Sequence, residues 1–373
     1  MLRRYKLIAL ATVISLLSTF QGAVGAANPK AGLSCNKINE IKVYKNLTFT
    51  CIKSGKKLIW SQGVPSPEAI QPKEIGISID NLDLKGVAQK AYDQVSKEIK
   101  TRPRVNYVPT FIIGPNVKKY RVDQELTGLY RAIDFWGPYF IPDKFQIIYV
   151  DYGDENWLDQ KSSELGLSSM LPQGQTWRQQ FTQDSDCAFG MAGNPNGIPT
   201  FVQCLGFPFY DGSRQGAPHE YTHLFQLGVA KGNAFNLSWY TEGSATFFGW
   251  TIAMFGYNPL SRQRSDFFNS TFSQMSESAK TDIMSKDITK LKSRMQSISG
   301  RNTKETSQSG SYWLGGLAFE VLTALYGVDK FIELSKKLET TNDISSLLNQ
   351  TYGFSADYFY EKLAPYVWGN IPN

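Results

Sequence analysis

The chain has 373 residues, with 39 Lys and Arg against 33 Asp and Glu, and 13% of its residues are aromatic. A formal charge of +6 is too mild for a protein that draws its affinity from neutralised phosphates, so no nucleic-acid partner is expected. Only two histidines occur, so a Ser-His-Asp or Cys-His hydrolase would have to use one of them.

Residues 1–26 begin with Arg3, Arg4 and Lys6, run through an apolar stretch at 7–20 and end in small residues around Val24, Gly25 and Ala26. That pattern reads as a secretory signal peptide. Its apolar run is short for a membrane span, and no other stretch reaches about 18 continuous apolar residues, so no transmembrane segment is expected in the mature chain. The expected location is secreted, extracellular or associated with the cell envelope. Losing the three basic residues of the leader lowers the formal charge from +6 to +3.

The four cysteines fall into two local pairs, Cys35 with Cys51 and Cys187 with Cys204. In an exported chain they read as two disulfides, one of three connectivities; neither pair has the C-x-x-C spacing of a zinc site. Residues 27–63 read as a small β module stapled by the first pair, and Pro65, Pro67 and Pro72 mark a linker over 64–80. The pattern then becomes mixed over 81–215, with helices at 87–99 and 124–136, strands at 108–113 and 145–152, and a β-rich stretch at 187–207. From 216 to 373 it is mostly helical, with segments at 243–255, 314–326, 328–339, 343–351 and 355–367. The polar stretch 270–310, rich in Ser, Thr and Lys, reads in part as a mobile loop over a cleft.

The two histidines stand four residues apart around a glutamate: His219-Glu220-Tyr221-Thr222-His223. Chance supplies this pattern in roughly two of ten thousand chains of the same composition. On a helix, positions i and i+4 share a face, so both imidazoles reach one metal ion while Glu220 leans over its open side. Pro218 suits a first helical turn. Glu242, in the string Trp239-Tyr240-Thr241-Glu242-Gly243-Ser244-Ala245, offers a third ligand; two His and one carboxylate leave a fourth position for water.

The H-E-x-x-H helix, the 18-residue gap from His223 to Glu242 and the W-x-x-E-G-x-A string resemble the gluzincin zinc metallopeptidases. The gap and string are most similar to the aminopeptidase N-type branch, although the Gly-x-Met-x-Asn stretch with which that branch holds a free amino end is missing here. The tail, with Ser311-Tyr312-Trp313-Leu314-Gly315-Gly316 and Leu325-Tyr326-Gly327, resembles the smaller peptidase-MA-like domains. The resemblance covers 216–373 well and 81–215 loosely. It implies an α+β fold of thermolysin-like type, a mixed-sheet subdomain and a helical subdomain with the cleft between them. It also implies one zinc per chain on His219, His223 and Glu242, with Glu220 as general base and a peptide or protein as substrate. Tyr312 matches the place of a catalytic tyrosine in related gluzincins, with Tyr240 and Tyr326 as reserves. A substrate-binding edge strand is implied at roughly 198–206. The N-terminal module resembles short Cys-paired modules of secreted bacterial proteins, for which envelope association and a plain spacer are both expectations. The alternative reading is a catalytically silent envelope-binding protein on the same scaffold; an intact Glu220 favours the enzyme.

Overall fold

The structure is a computed structural model, and it describes residues 28–45, 47–65, 76–182, 187, 189–206 and 215–372. The leader at 1–26 and linker residues 66–75 lie outside the described residues. The chain forms two compact units that divide between Ile75 and Gly76.

In the first unit, strands β1 (Ile41–Tyr44), β2 (Leu47–Ser54), β3 (Lys57–Trp60) and β4 (Val64–Pro65) make an antiparallel sheet with β2 at its centre. Cys35 is bonded to Cys51, and the bridge packs with Phe49 and Trp60 on one face of the sheet. So small a unit buries little apolar surface of its own, which is where a covalent staple contributes most. Pairing reaches Pro65, two residues into the expected linker. At the linker's other end, Ile77 and Ile79 already pack against the core of the second unit.

The second unit is mixed α/β. Its sheet has the order β5–β6–β8–β7, with β5 (Thr110–Ile113), β6 (Gln146–Val150) and β8 (Thr200–Cys204) parallel and β7 (Gly190–Gly193) antiparallel at the edge. From Ile147 to Val150 β6 is fully buried because both its faces are covered. Ile147 and Tyr149 enter the large helical core, and Ile148 and Val150 enter a second cluster with Leu158, Leu167, Trp177 and Val202. Helices α1 (Leu84–Thr101) and α2 (Lys119–Trp136) contribute to the large core, and the short α3 (Glu155–Leu165) and α4 (Trp177–Thr182) to the second. The Cys187–Cys204 disulfide ties the approach to β7 to the end of β8. The expected edge strand at 198–206 is therefore corrected: β8 lies inside the sheet, and β7 holds the edge. A sequence stretch with bends at Gly190, Gly193 and Gly197 offers no rule for which of two strands pairs twice.

Among the described residues ten α-helices follow: α5 (Gly216–Ala230), α6 (Ser238–Ala253), α7 (Arg262–Ser273), α8 (Glu277–Met284), α9 (Ile288–Ser297), α10 (Lys304–Gln308), α11 (Ser311–Tyr326), α12 (Val328–Leu338), α13 (Ile344–Tyr352) and α14 (Ala356–Gly369). The expectation that part of 270–310 is a loop is narrowed: α7 to α10 take most of the stretch and leave 298–303 outside them. Ser261, Ser276, Asp287 and Thr303 accept from backbone N–H groups at their N-termini, and Ala279, Ile283, Leu291 and Met295 are fully buried. Short capped helices with at most three apolar positions each carry little periodic signal, so polarity masked them. Among the described residues no helix is long and apolar enough to cross a membrane.

Candidate metal centre

Helix α5 is buried nearly all round. On the side away from the metal ligands, Thr222 accepts from the Trp136 indole at 3.1 Å, and Trp136 stacks on Phe225 with ring centroids 4.1 Å apart. Its N-terminus is held by a buried carboxylate on α2, since the Ala217 N–H donates to Glu125 Oε2 at 3.0 Å. Negative charge is favoured at a helix N-terminus. Every residue of α6 is buried, and α6 approaches α5 closely because Gly249 carries no side chain: a Cβ there would lie 3.0 Å from Cα and Cβ of His219. A second close crossing fixes α6 against α11, where a Cβ on Gly315 would stand 2.6 Å from the Trp239 carbonyl oxygen and 2.8 Å from Gly243 Cα.

These crossings bring His219, His223 and Glu242 together as a set of ligand atoms. His219 Nε2 and His223 Nε2 are 3.1 Å apart, and each is 3.5 Å from Glu242 Oε2. Donors that bind zinc tetrahedrally at about 2.0–2.2 Å stand roughly 3.3–3.5 Å from one another, so the triangle fits one such ion. Glu242 Oε2 is buried and receives no hydrogen bond, an expensive state for a carboxylate oxygen unless a cation meets it. Its other oxygen, Oε1, accepts from the Asn302 amide, and Ser238 donates to Asn302 Oδ1 at 3.0 Å. One carboxylate oxygen is thus held by protein while the other faces the imidazoles.

Gln226 settles how His223 presents its nitrogens. The Gln226 amide nitrogen donates to the Thr241 carbonyl at 2.9 Å and to Ser244 Oγ at 2.7 Å, so its oxygen faces His223 Nδ1 at 2.8 Å. An oxygen can only accept, so Nδ1 carries a proton, and in the neutral ring it is Nε2 that keeps its lone pair toward the triangle. The same side chain ties α5 to α6 beside Glu242.

Burial pushes the Glu220 carboxyl above its usual range, against the pull of the two imidazoles, and Glu220 Oε2 has no hydrogen-bond partner. At Glu242 burial acts upward too, but the two imidazoles facing it, His223 first, outweigh it and hold the carboxyl well below the ordinary range. Burial would lower His223; the Glu242 carboxylate overrides it and raises the imidazole to about 9 in the metal-free protein.

The three ligands and Glu220 line one cleft of about 1310 Å³, together with Tyr312 and the backbone of β7. A Cβ on Gly190 would lie 2.1 Å from Glu220 Oε1, so the edge strand runs directly past this carboxylate. Tyr312 stacks on His219 with centroids 6.0 Å apart and planes within 12°. The reserve tyrosines lie elsewhere: Tyr240 donates to Ser335 Oγ at 2.8 Å inside the helical core, and Tyr326 packs with Tyr352 and Phe354. Sequence reasoning missed Gln226, Asn302 and Gly190. Gln226 had a signal, since it stands three residues after His223 and so near the same helix face; Asn302 lies in the stretch read as a loop and had none. Comparison of the chain with protein-family models, curated proteins and solved structures finds no match.

Proposed function

We propose that this chain is an exported zinc metallopeptidase of gluzincin type, with a thermolysin-like division of the second unit into sheet and helical parts around its cleft. The observation that carries this reading is the triangle of His219, His223 and Glu242 beside the buried Glu220, whose Oε2 has no hydrogen-bond partner. The two disulfides accord with an oxidising compartment.

His219, His223 and Glu242 would hold one zinc, which when bound supplies a Lewis acid for a water and for the substrate carbonyl. Glu220, raised by burial, is suited to take the proton of the attacking water and hand it to the leaving amine near neutral pH. The edge of β7 offers backbone groups to an extended peptide, which would pass Glu220 at Gly190. A cleft of about 1310 Å³ exceeds the roughly 300–1,000 Å³ of small-molecule pockets and suits a polymeric substrate. Tyr312, stacked on His219 at the rim of the same cleft, is placed to donate its phenol to a developing oxyanion.

Profiling residues 27–373 against a mixed peptide library by mass spectrometry tests the reading and identifies the bonds cut. Glu220→Gln should keep one zinc per chain and lose turnover by about 100- to 10,000-fold, the usual contribution of a general base. A wild type that holds zinc and cleaves nothing would transfer the scaffold to the silent-binder reading.

A further inference from the structure

The first unit has an apolar surface that its own fold does not cover. In β2, Leu47, Phe49 and Cys51 alternate with Thr48, Thr50 and Ile52, so the two sets point to opposite faces. The first set packs with Trp60 and the disulfide. On the opposite face the register places Ile41 and Val43 of β1 across from Thr50 and Thr48, Ile59 across from Ile52, and Val64 across from Thr48. Ile41, Val43, Ile52 and Val64 are 64%, 57%, 41% and 59% exposed. An antiparallel sheet with one wet face ordinarily alternates apolar-in with polar-out. Here the wet face is built from Ile, Val and Thr, and contiguous exposed apolar surface marks an interaction site.

Charge says what the site meets. Residues 28–65 contain seven lysines and one glutamate, a net +6, whereas residues 66–373 contain 29 basic and 32 acidic residues, a net −3. Lys45 lies in the β1–β2 turn, Lys56 lies in the β2–β3 turn, and Lys57, paired with Ser54, shares the face of Ile52, whereas Lys53 belongs to the face of Cys51; Lys45, Lys56 and Lys57 are exposed. These three lysines therefore stand at both ends of the apolar face. We propose that this face seats the protein on an anionic lipid bilayer, the Ile and Val side chains entering the headgroup boundary while the lysines meet lipid phosphates. A second copy would bring two +6 surfaces together around one two-fold axis. A soluble polyanion would leave the aliphatic side chains in water. Single-stranded nucleic acid would need exposed aromatics to stack on, and Phe49 and Trp60 are buried.

Co-sedimentation of residues 27–373 with vesicles of phosphatidylglycerol and phosphatidylcholine, against phosphatidylcholine alone, tests the proposal. Binding should occur on the anionic vesicles only and weaken with salt. Ile41→Thr/Val43→Thr/Ile52→Thr/Val64→Thr retains β-branching and hence strand preference, and should lower partitioning at least tenfold with the 35–51 disulfide intact by peptide mapping. Lys45→Gln/Lys56→Gln/Lys57→Gln should lower it by roughly fivefold per lysine. Zinc content should not change in either variant, which separates this test from that of the metal centre. Equal sedimentation with neutral vesicles, no sedimentation with anionic ones, an aliphatic variant that binds like wild type, or a wild-type dimer in solution that the aliphatic variant abolishes would each overturn the proposal.

Discussion

Gln226 Oε1 lies 2.8 Å from His223 Nδ1 while the amide nitrogen of the same side chain is bonded to the helix that carries Glu242. One residue thus sets the tautomer of one ligand and the distance to another. Gln226→Leu should lower zinc affinity by about 10- to 100-fold, the usual effect of losing a ligand's outer partner. Gln226→Glu retains an acceptor for Nδ1 and should keep more of the affinity than Leu does. Competition titration with a chelator measures both, and equal affinity in wild type and the Leu variant would show that the contact does not orient His223.

Zinc affinity should also depend on pH in a defined direction. In the metal-free protein His223 is raised to about 9 by the Glu242 carboxylate, so at pH 7 it is protonated and must lose that proton to bind a metal. Glu242 is held low and stays ionised throughout. The apparent association constant should therefore rise about tenfold per unit between pH 7 and 9 and flatten above. Calorimetry in buffers of different ionisation enthalpy should count close to one proton released at pH 7. A pH-independent affinity over this window would mean that His223 is neutral without metal. Removing a ligand outright, by His219→Ala or Glu242→Ala, should abolish tight binding at every pH.

His219 and His223 were legible as a candidate ligand pair because helix geometry converts an i, i+4 spacing into proximity, whereas Glu242 was legible only through the resemblance of its 18-residue gap, since it is the crossing of α5 and α6 that brings it to them. The strongly periodic helices at 84–101 and 328–338 were legible from their apolar stripes, and the one at 311–326 from a long apolar run that is buried nearly all round. What was not legible depends on crossings between segments far apart in the chain. Asn302 reaches Glu242 across 60 residues, and Gly315 matters because Trp239 and Gly243 lie against it; neither relationship leaves a local pattern. The order of β7 and β8 is likewise a property of pairing, which two short β-capable segments with similar flanks do not encode individually.

At the edge strand, Gly190→Ala puts a methyl group where Glu220 Oε1 now sits, 2.1 Å from the ideal Cβ position. The carboxylate is the flexible end of a side chain and can swing aside, so the fold and the zinc should survive. The general base then stands out of place, and a displacement of about 1 Å is enough to cost on the order of 100-fold in rate. Steady-state kinetics on any peptide the wild type cleaves should show a lower kcat at normal zinc content. Unchanged kcat would place the working position of Glu220 away from β7.

The crossing of α6 and α11 allows no such escape. A Cβ on residue 315 would meet the Trp239 carbonyl oxygen at 2.6 Å and Gly243 Cα at 2.8 Å, and both are backbone atoms of a helix with no exposed residue. The helices must part by several tenths of an ångström, and overpacking of this kind costs about 1–3 kcal/mol or more. Parting them also moves Glu242, next to Gly243, and Tyr312, one helical turn before Gly315, relative to each other. Gly315→Ala should therefore lower the midpoint of chemical denaturation and weaken zinc binding together, whereas Gly316→Ala, whose Cβ would meet only Thr246 and Phe268 side-chain atoms at 3.3 Å and beyond, should be milder in both. If Gly315→Ala unfolds at the wild-type denaturant concentration, the close crossing is not what holds the third ligand in place.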